Sequence, residues 1–310
     1  MNAHVAAVVV TYNSAAVIDN CLRSLQDFAE IVVVDNASAD ETCCVVAQYG
    51  ARVRLIANPE NRGFAGAANQ GIQATNSPLV LFLNPDAALA TAVEPMVARF
   101  AMPHLGAVAG RLVDPDGRTQ VGFNLRAFPT PLSLAFEALL LNRLWPGNPV
   151  NRRYRCLDLD YAREQDVDQP AGAFLMVRRD VLHQVSGWDE RFYPLWFEDV
   201  DLCRRIRQAG YAIRYVPEVV ARHQGAHSLS RISLEQKQIY WYGSLLAYAV
   251  KNFSPWAQVG LRATVWAGAL LRTLAAWGRG GESRGYRRVM GLALARQATA
   301  ARQVQPHVLM

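Results

Sequence analysis

The sequence predicts an α/β fold, a mostly parallel sheet with flanking helices, followed by a C-terminal helical tail. Three observations predict it. Short β-branched apolar runs alternate with helix-spaced patterns through the first hundred residues, which is how βαβ units read. Those runs are apolar at consecutive positions, as in strands buried on both faces. With 51% hydrophobic and 19% charged residues over 310 positions, the protein can bury a large core and is not disordered.

The first strand is Val5–Val10. Val17, Ile18, Cys21, Leu22 and Leu25 then recur at helical spacing within 15–28. Ile31–Val34 is the second strand, and Ser38, Asp40 and Glu41 are cap-forming residues ahead of a helix through Ala47. Val53–Ile56, a helix over Gly66–Ala74 and Leu79–Leu83 complete the series, with a further strand at Gly106–Val113. Pro115, Pro129, Pro131, Pro146 and Pro149 interrupt the 114–169 connection, whose length marks a functional or partly disordered segment. Ala171–Val177 resumes the strand pattern. A helix, the aromatic and acidic segment 187–201, a helix through Gln208 closed by Gly210 and a strand at Tyr211–Val216 follow. Helical pattern then runs from Leu234, dividing the protein into a sheet domain, 1–233, and a basic helical segment, 234–310.

The net charge of +6 hides an asymmetry. Residues 251–310 hold nine Lys/Arg and one acid, Glu282, leaving 23 basic and 25 acidic residues for positions 1–250. A nearly neutral body argues against nucleic acid as partner, and the basic tail suits a local anionic surface such as a membrane. No run of about 20 apolar residues is present, so a bundle of spanning helices is excluded. Five cysteines without C-x-x-C spacing fit neither a disulfide framework nor a zinc site. The start lacks a basic n-region and a cleavage site, which makes a reducing cytoplasm the expected compartment.

Ligands of open α/β sheets bind beyond the carboxyl ends of the strands. Here those ends carry Thr11-Tyr12-Asn13, Asp35-Asn36-Ala37-Ser38, Asn58 through Gly63, and Asn84-Pro85-Asp86. Any one of these reads equally well as an ordinary turn, because Asn, Asp, Pro and Gly dominate turns. Four in succession on one edge point to a site. No G-x-G-x-x-G follows the first strand and no P-loop exists, which demotes a Rossmann oxidoreductase. Phosphates would then need a cation, and Asp86 is a suitable hard oxygen ligand for Mg²⁺ or Mn²⁺. A second acidic cluster, Glu198, Asp199 and Asp201, opens a helix behind the apolar stretch Phe192–Phe197. Acids suit a helix N-terminus for dipole reasons alone. The apolar wall gives the alternative, a carboxylate whose pKa burial lifts toward that of a base.

With these segments the protein resembles the family 2 glycosyltransferases of the GT-A fold, a Rossmann-like sheet, and is most similar to their rhamnosyltransferase-like branch. The matching segments are VVVTYNS (8–14), VVVDNASAD (32–40), NPENRGFAGAANQG (58–71), LVLFLNPDA (79–87), GAFLMVRRDVL (172–182), GWDERFYPLWFEDVDLCRR (187–205) and ARHQGAHS (221–228). The resemblance implies that Thr11, Tyr12 and Asn13 line the nucleotide site and that Asp35 bonds the pyrimidine. Arg62 and Asn69 would hold the sugar nucleotide. Asp86 matches the last acid of the D-x-D motif and would bind the metal; Asn84 replaces the first. Asp199, with Glu198 beside it, matches the catalytic base, and His223 a histidine that completes the metal site. The implied activity is inverting, metal-dependent transfer of a sugar, L-rhamnose from dTDP-rhamnose, to a glycan or lipid-linked acceptor in cell-surface polysaccharide synthesis. A UDP-linked donor, a non-catalytic nucleotide-sugar binding protein and a nucleotidyltransferase are the alternatives.

The tail matches no motif. Its segment Trp256–Trp277 is apolar, with three tryptophans and two interruptions, Arg262 and Arg272, each costing about 2.5–3.5 kcal/mol near a bilayer centre. That composition predicts a helix lying on an anionic membrane face, its arginines on a broad polar side and Arg279, Arg284, Arg287 and Arg288 following. The competing expectation is a helix packed on the sheet domain.

Overall fold

The computed structural model describes residues 2–225, 232–276 and 280–295. The strands are β1 (Asn2–Thr11), β2 (Phe28–Asp35), β3 (Arg54–Ala57), β4 (Leu79–Leu83), β5 (Ala87–Leu89), β6 (Leu105–Val113), β7 (Leu125–Arg126), β8 (Gln165–Asp166), β9 (Gln169–Pro170), β10 (Phe174–Arg178) and β11 (Ala212–His223). The helices are α1 (Ile18–Ser24), α2 (Thr42–Ala47), α3 (Gly63–Gln73), α4 (Glu94–Arg99), α5 (Pro131–Ala138), α6 (Leu141–Leu144), α7 (Pro149–Tyr154), α8 (Arg179–Gln184), α9 (Glu198–Gln208), α10 (Leu234–Asn252), α11 (Pro255–Ala275) and α12 (Gly280–Leu294).

The main sheet runs β3-β2-β1-β4-β10-β6-β11-β5, with β8 paired to β11. Its first half is parallel, as the alternating pattern predicts: β1 pairs with β2 and β4, and β2 with β3. Beyond β4 it is mixed, because β10 inserts antiparallel between β4 and β6 while β6 and β11 are parallel. Strand β1 shows why its run is apolar throughout. Val5, Ala7 and Val9 pack with Ile18 and Leu22 of α1, whereas Val8 packs with Ala65 and Ala68 of α3. Period-two alternation thus feeds two cores from one strand. Where the layers press closest a side chain is excluded: a Cβ on Gly71 would come 2.3 Å from Val8, and one on Gly110 would come 2.1 Å from the Phe174 ring.

The proline-rich connection is ordered. It holds α5, α6 and α7, and Thr130 and Asn148 cap α5 and α7 through their side chains with proline in the first turn. Two of the five prolines expected to break structure, Pro131 and Pro149, therefore start it.

The tail departs from its sequence reading. Tyr242, Leu245 and Tyr248 of α10, Leu261 and Val265 of α11 and Val289 and Leu292 of α12 form one cluster with Leu134 of α5 and with Phe192, Phe197 and Val200 of the acidic segment. The core around that segment is completed by the tail. The two arginines of α11 are not on a membrane-facing polar side. The Arg272 guanidinium donates to the carbonyls of Glu137 and Ala138 at the end of α5, and Arg262 donates to those of Leu292 and Ala295 at the end of α12. Each caps orphan carbonyls with a cation, as a helix C-terminus favours. The apolar residues left outside, Trp256, Val259, Trp266, Leu271 and Leu274, fall within about 140° of the α11 circumference at roughly 100° per residue. Trp277 and Arg279 lie outside the described residues. Among the described residues no helix is long and apolar enough to cross a membrane.

Candidate active site

A cleft of about 360 Å³ opens at the carboxyl ends of β1, β2 and β4. Of the residues singled out in the sequence, Thr11, Tyr12, Asn84, Asp86, Glu198, Asp199 and His223 line it. Asn13, Asp35, Arg62 and Asn69 do not; each instead bonds neighbouring protein groups. Asp35 is 1% exposed and accepts from the Thr11 hydroxyl at 2.8 Å and from the backbone N–H and the hydroxyl of Ser38. Asn13 has a left-handed backbone, φ 52°, and links the first two strand ends through Ser38 and Ala39. Asn69 grips the backbone of Trp188 with both ends of its amide, at 2.9 Å each. Arg62 precedes the first residue of α3, and its N–H donates to the Asn36 side chain.

Asp86 is placed by a turn. Ala87 N–H donates to Asn84 C=O at 3.0 Å, with Pro85 at the turn position its fixed φ favours. The backbone runs on into β5, which pairs with β11 so that His223 stands opposite Ala87. His223 Nε2 therefore lies 3.3 Å from Asp86 Oδ1, both side chains being almost wholly buried. Residues 226–228 of the histidine motif lie outside the described residues. No group of three or more His, Cys, Asp or Glu side chains is gathered for a metal among the described residues. Two protein ligands suit Mg²⁺ or Mn²⁺, which keep waters and take the remaining oxygens from substrate phosphates. The residues present fit such an ion.

Glu198 and Asp199 open α9 directly after Trp196 and Phe197, both with left-handed φ, 76° and 69°. Bulky side chains avoid that region, so the turn stores strain that packing of Phe197 into the tail core holds in place. Asp199 Oδ2 accepts from Gly172 N–H at 3.1 Å and from the Gln169 amide at 3.2 Å. Its Oδ1 accepts only a local bond from Val200 N–H among the described contacts. Burial raises the Asp199 pKa, against the N–H of Gly172 and the charge of Arg126, which lower it. Burial pushes Glu198 well above the ordinary Glu range, and the Asp199 charge adds to that. Glu198 Oε2 is buried with no hydrogen-bond partner among the described residues. Burial thus raises both neighbouring carboxyls, and Glu198 the further because the Asp199 charge adds to it. Asp201, third acid of the turn, serves the structure: it pairs with Arg205 at 2.7 Å and with Lys251 of α10 at 2.6 Å.

Sequence reasoning missed the far wall. Gln236 and Tyr240 of α10 line the cleft, with Phe123, Tyr193 and Trp196. Tyr193 and Trp196 stand in a segment already noted for its apolar character; nothing in the tail's pattern marks Tyr240.

Acids at a helix start, a further acid on a β-turn and a cleft at the strand ends thus meet on the edge of the sheet where α/β folds bind ligands. Residues 6–185 match the family described as Glycosyl transferase family 2, and residues 163–281 match Glycosyl transferase family group 2. The protein belongs to glycosyl transferase family 2 and is a glycosyltransferase. Its relatives place it with the rhamnosyltransferase-like members. The N-acetylglucosaminyl-diphospho-decaprenol L-rhamnosyltransferase of Mycobacterium tuberculosis is 29% identical over 283 residues, covering 86% of this protein and 90% of the relative. An O-antigen chain rhamnosyltransferase of Salmonella typhimurium is 24% identical, covering 70% and 65% respectively. In structure the protein is similar to S. aureus TarS 1-349 in complex with UDP-GlcNAc, with TM-score 0.51, 17% identity and coverage of 98% and 93%. It is likewise similar to a mannosyltransferase from Pyrobaculum calidifontis in complex with GDP-Man and Mn2+, with TM-score 0.51, 19% identity and coverage of 97% and 86%. Family membership sets aside the oxidoreductase and nucleotidyltransferase readings.

Proposed function

We propose that the enzyme transfers L-rhamnose, with inversion, from dTDP-rhamnose to a hydroxyl of a lipid-linked saccharide in cell-surface polysaccharide synthesis. The observation that carries this reading is the meeting of the Asp86–His223 pair and the buried Asp199 in one cleft. The rhamnosyltransferase names of the relatives support the sugar, and the decaprenol-linked substrate in one of those names supports the acceptor class. Thr11, Tyr12 and Asn84 contact the nucleotide side of the donor, with Asp35, Asn13, Arg62 and Asn69 holding the loops that shape it. Asp86 and His223 hold Mg²⁺ or Mn²⁺ against the diphosphate. Such an ion stabilises the charge that develops on the leaving phosphate oxygen.

Asp199 takes the proton. Its Oδ2 is anchored by Gly172 and Gln169, which turns Oδ1 to the acceptor hydroxyl. One base opposite the leaving group suffices for a single displacement with inversion. Glu198, kept neutral, adds no second negative charge beside the attacking oxygen. Tyr240, Tyr193 and Trp196 wall the side from which the acceptor enters.

The exposed apolar face of α11 and the exposed Arg284 and Arg287 support peripheral attachment to the anionic inner face of the cell membrane. The deciding experiment supplies purified enzyme and Mn²⁺ with a panel of nucleotide sugars and a polyprenyl-diphosphate saccharide, and reads released dTDP or UDP. Release of dTDP from dTDP-rhamnose alone bears the proposal out. Turnover with UDP-sugars only reassigns the donor, and full turnover in EDTA removes the metal.

A further inference from the structure

Gln120 lies in the connection after β6, where no motif marks it, yet its amide bonds the same residue twice. Its Nε2 donates to the backbone carbonyl of His223 at 2.8 Å. A carbonyl oxygen can only accept, so this contact settles which end of the amide is nitrogen. The amide oxygen then faces His223 Nδ1 at 2.9 Å. That oxygen also only accepts, so Nδ1 carries the hydrogen. An imidazole that ligates a metal through one nitrogen carries its hydrogen on the other, so with Nδ1–H held by Gln120 the nitrogen that would serve a metal is Nε2, on the side of Asp86.

The surroundings hold this arrangement. Gln120 N–H donates to Leu112 C=O at 3.0 Å, and the Gln120 C=O accepts from Phe123 and Asn124 N–H groups, which pins the turn to β6. The Phe123 ring stacks on the imidazole with centroids 5.2 Å apart and planes 11° from parallel. Without the amide the other tautomer competes. There Nε2 carries the hydrogen and has no lone pair with which to ligate.

We infer that Gln120 is a positioning residue that fixes His223 in the Nδ1–H tautomer and so readies Nε2 as a metal ligand beside Asp86. The inference rests on the reading of Asp86 and His223 as the metal site. An outer hydrogen-bond partner of this kind is worth about 10–100-fold in metal affinity.

Two measurements test it. The first is the affinity of the full-length protein for Mn²⁺ with saturating dTDP, by calorimetry, for wild type, Asp86→Ala, His223→Ala, Gln120→Met and Gln120→Glu. Gln120→Met, similar in shape but unable to accept from Nδ1, is expected to weaken Mn²⁺ by about 10–100-fold. Gln120→Glu, which keeps the acceptor, is expected to recover most of that loss. If Gln120→Met binds Mn²⁺ like wild type while Asp86→Ala and His223→Ala do not, the inference is overturned and the metal site stands. If Asp86→Ala and His223→Ala bind like wild type, the metal reading itself fails. The second measurement needs no variant. Ring ¹⁵N–¹H correlations of His223 in wild type saturated with Mg²⁺ and dTDP should show a proton on Nδ1 and none on Nε2; a proton on Nε2 there overturns the inference.

Discussion

Glu198 and Asp199 stand side by side at the start of α9 with both pKa values raised by burial, and the role proposed for each can be measured. Asp199→Asn removes the proton acceptor while keeping its shape. It is expected to lower kcat by about 10²–10⁴-fold, with the dissociation constant for dTDP little changed. A variant retaining full turnover would unseat Asp199 as the base. Because burial raises its pKa, kcat/KM of the wild type should climb with pH along a limb lying above the ordinary Asp value. Glu198 offers a stability test with a definite sign. Its native carboxyl keeps a proton to higher pH than the unfolded state does, so rising pH favours unfolding once the unfolded group ionises. Glu198→Gln removes that dependence, and its melting temperature should gain on wild type as pH increases, by about 2 °C for each 1 kcal/mol. A gap that narrows with pH would mean that Glu198 is charged in the native state. Both acids, Asp86, and Thr11 and Tyr12 were legible in the sequence because strand ends and helix starts have local signals. Tyr240 and Gln120 were not, since the one reaches the cleft and the other His223 through tertiary packing that no spacing encodes.

At the scale of elements, the parallel half of the sheet was legible because its strands are apolar runs separated by helices of regular length. The antiparallel insertion of β10 was not, since a strand buried on both faces reads the same in either direction. The tail's packing was not legible for a related reason: tryptophan and arginine on an apolar helix suit a bilayer surface and a helix-capping contact equally well. Its role in holding the catalytic turn is testable through Lys251, which reaches from α10 to Asp189 at 2.7 Å and to Asp201 at 2.6 Å. Burial alone would raise the Asp189 carboxyl, but hydrogen bonds from Arg191 and Lys251 outweigh it and hold the pKa well below the usual range. Lys251→Met leaves Asp201 in the interior, 1% exposed, with only Arg205. Breaking such a buried pair costs about 3–5 kcal/mol, and chemical denaturation should show a loss of that order. Because α10 carries both the ion pair and the cleft wall, activity should fall at temperatures where the fold still holds. A variant as stable as wild type would show that the pair contributes no net stability.

For the whole molecule, the same helix that closes the core with one side presents Trp256 (86% exposed), Val259, Trp266, Leu271 and Leu274 on the other. Removing the tail cannot test what that face does, because a protein ending near Ser254 would also uncover Leu134, Phe197 and Val200 of the shared core. Polar substitution of exposed positions avoids that difficulty. Trp256→Ser with Leu271→Ser touches no buried contact and should leave the melting temperature and turnover of a soluble acceptor analogue unchanged. A tenfold loss of vesicle affinity corresponds to about 1.4 kcal/mol. At roughly 25 cal/mol per Å² that is the transfer of only about 60 Å² of apolar surface. The two side chains exceed this together, so the double variant should bind phosphatidylglycerol vesicles at least tenfold more weakly than wild type in co-sedimentation. Binding of wild type should also weaken with salt, since exposed arginines of α12 contribute within a screening length of about 10 Å at 0.1 M. Wild type that stays in the supernatant at low salt would remove the membrane from the proposal. If it does so while sedimenting as a dimer that the double variant dissociates, the apolar face joins two copies of the protein instead.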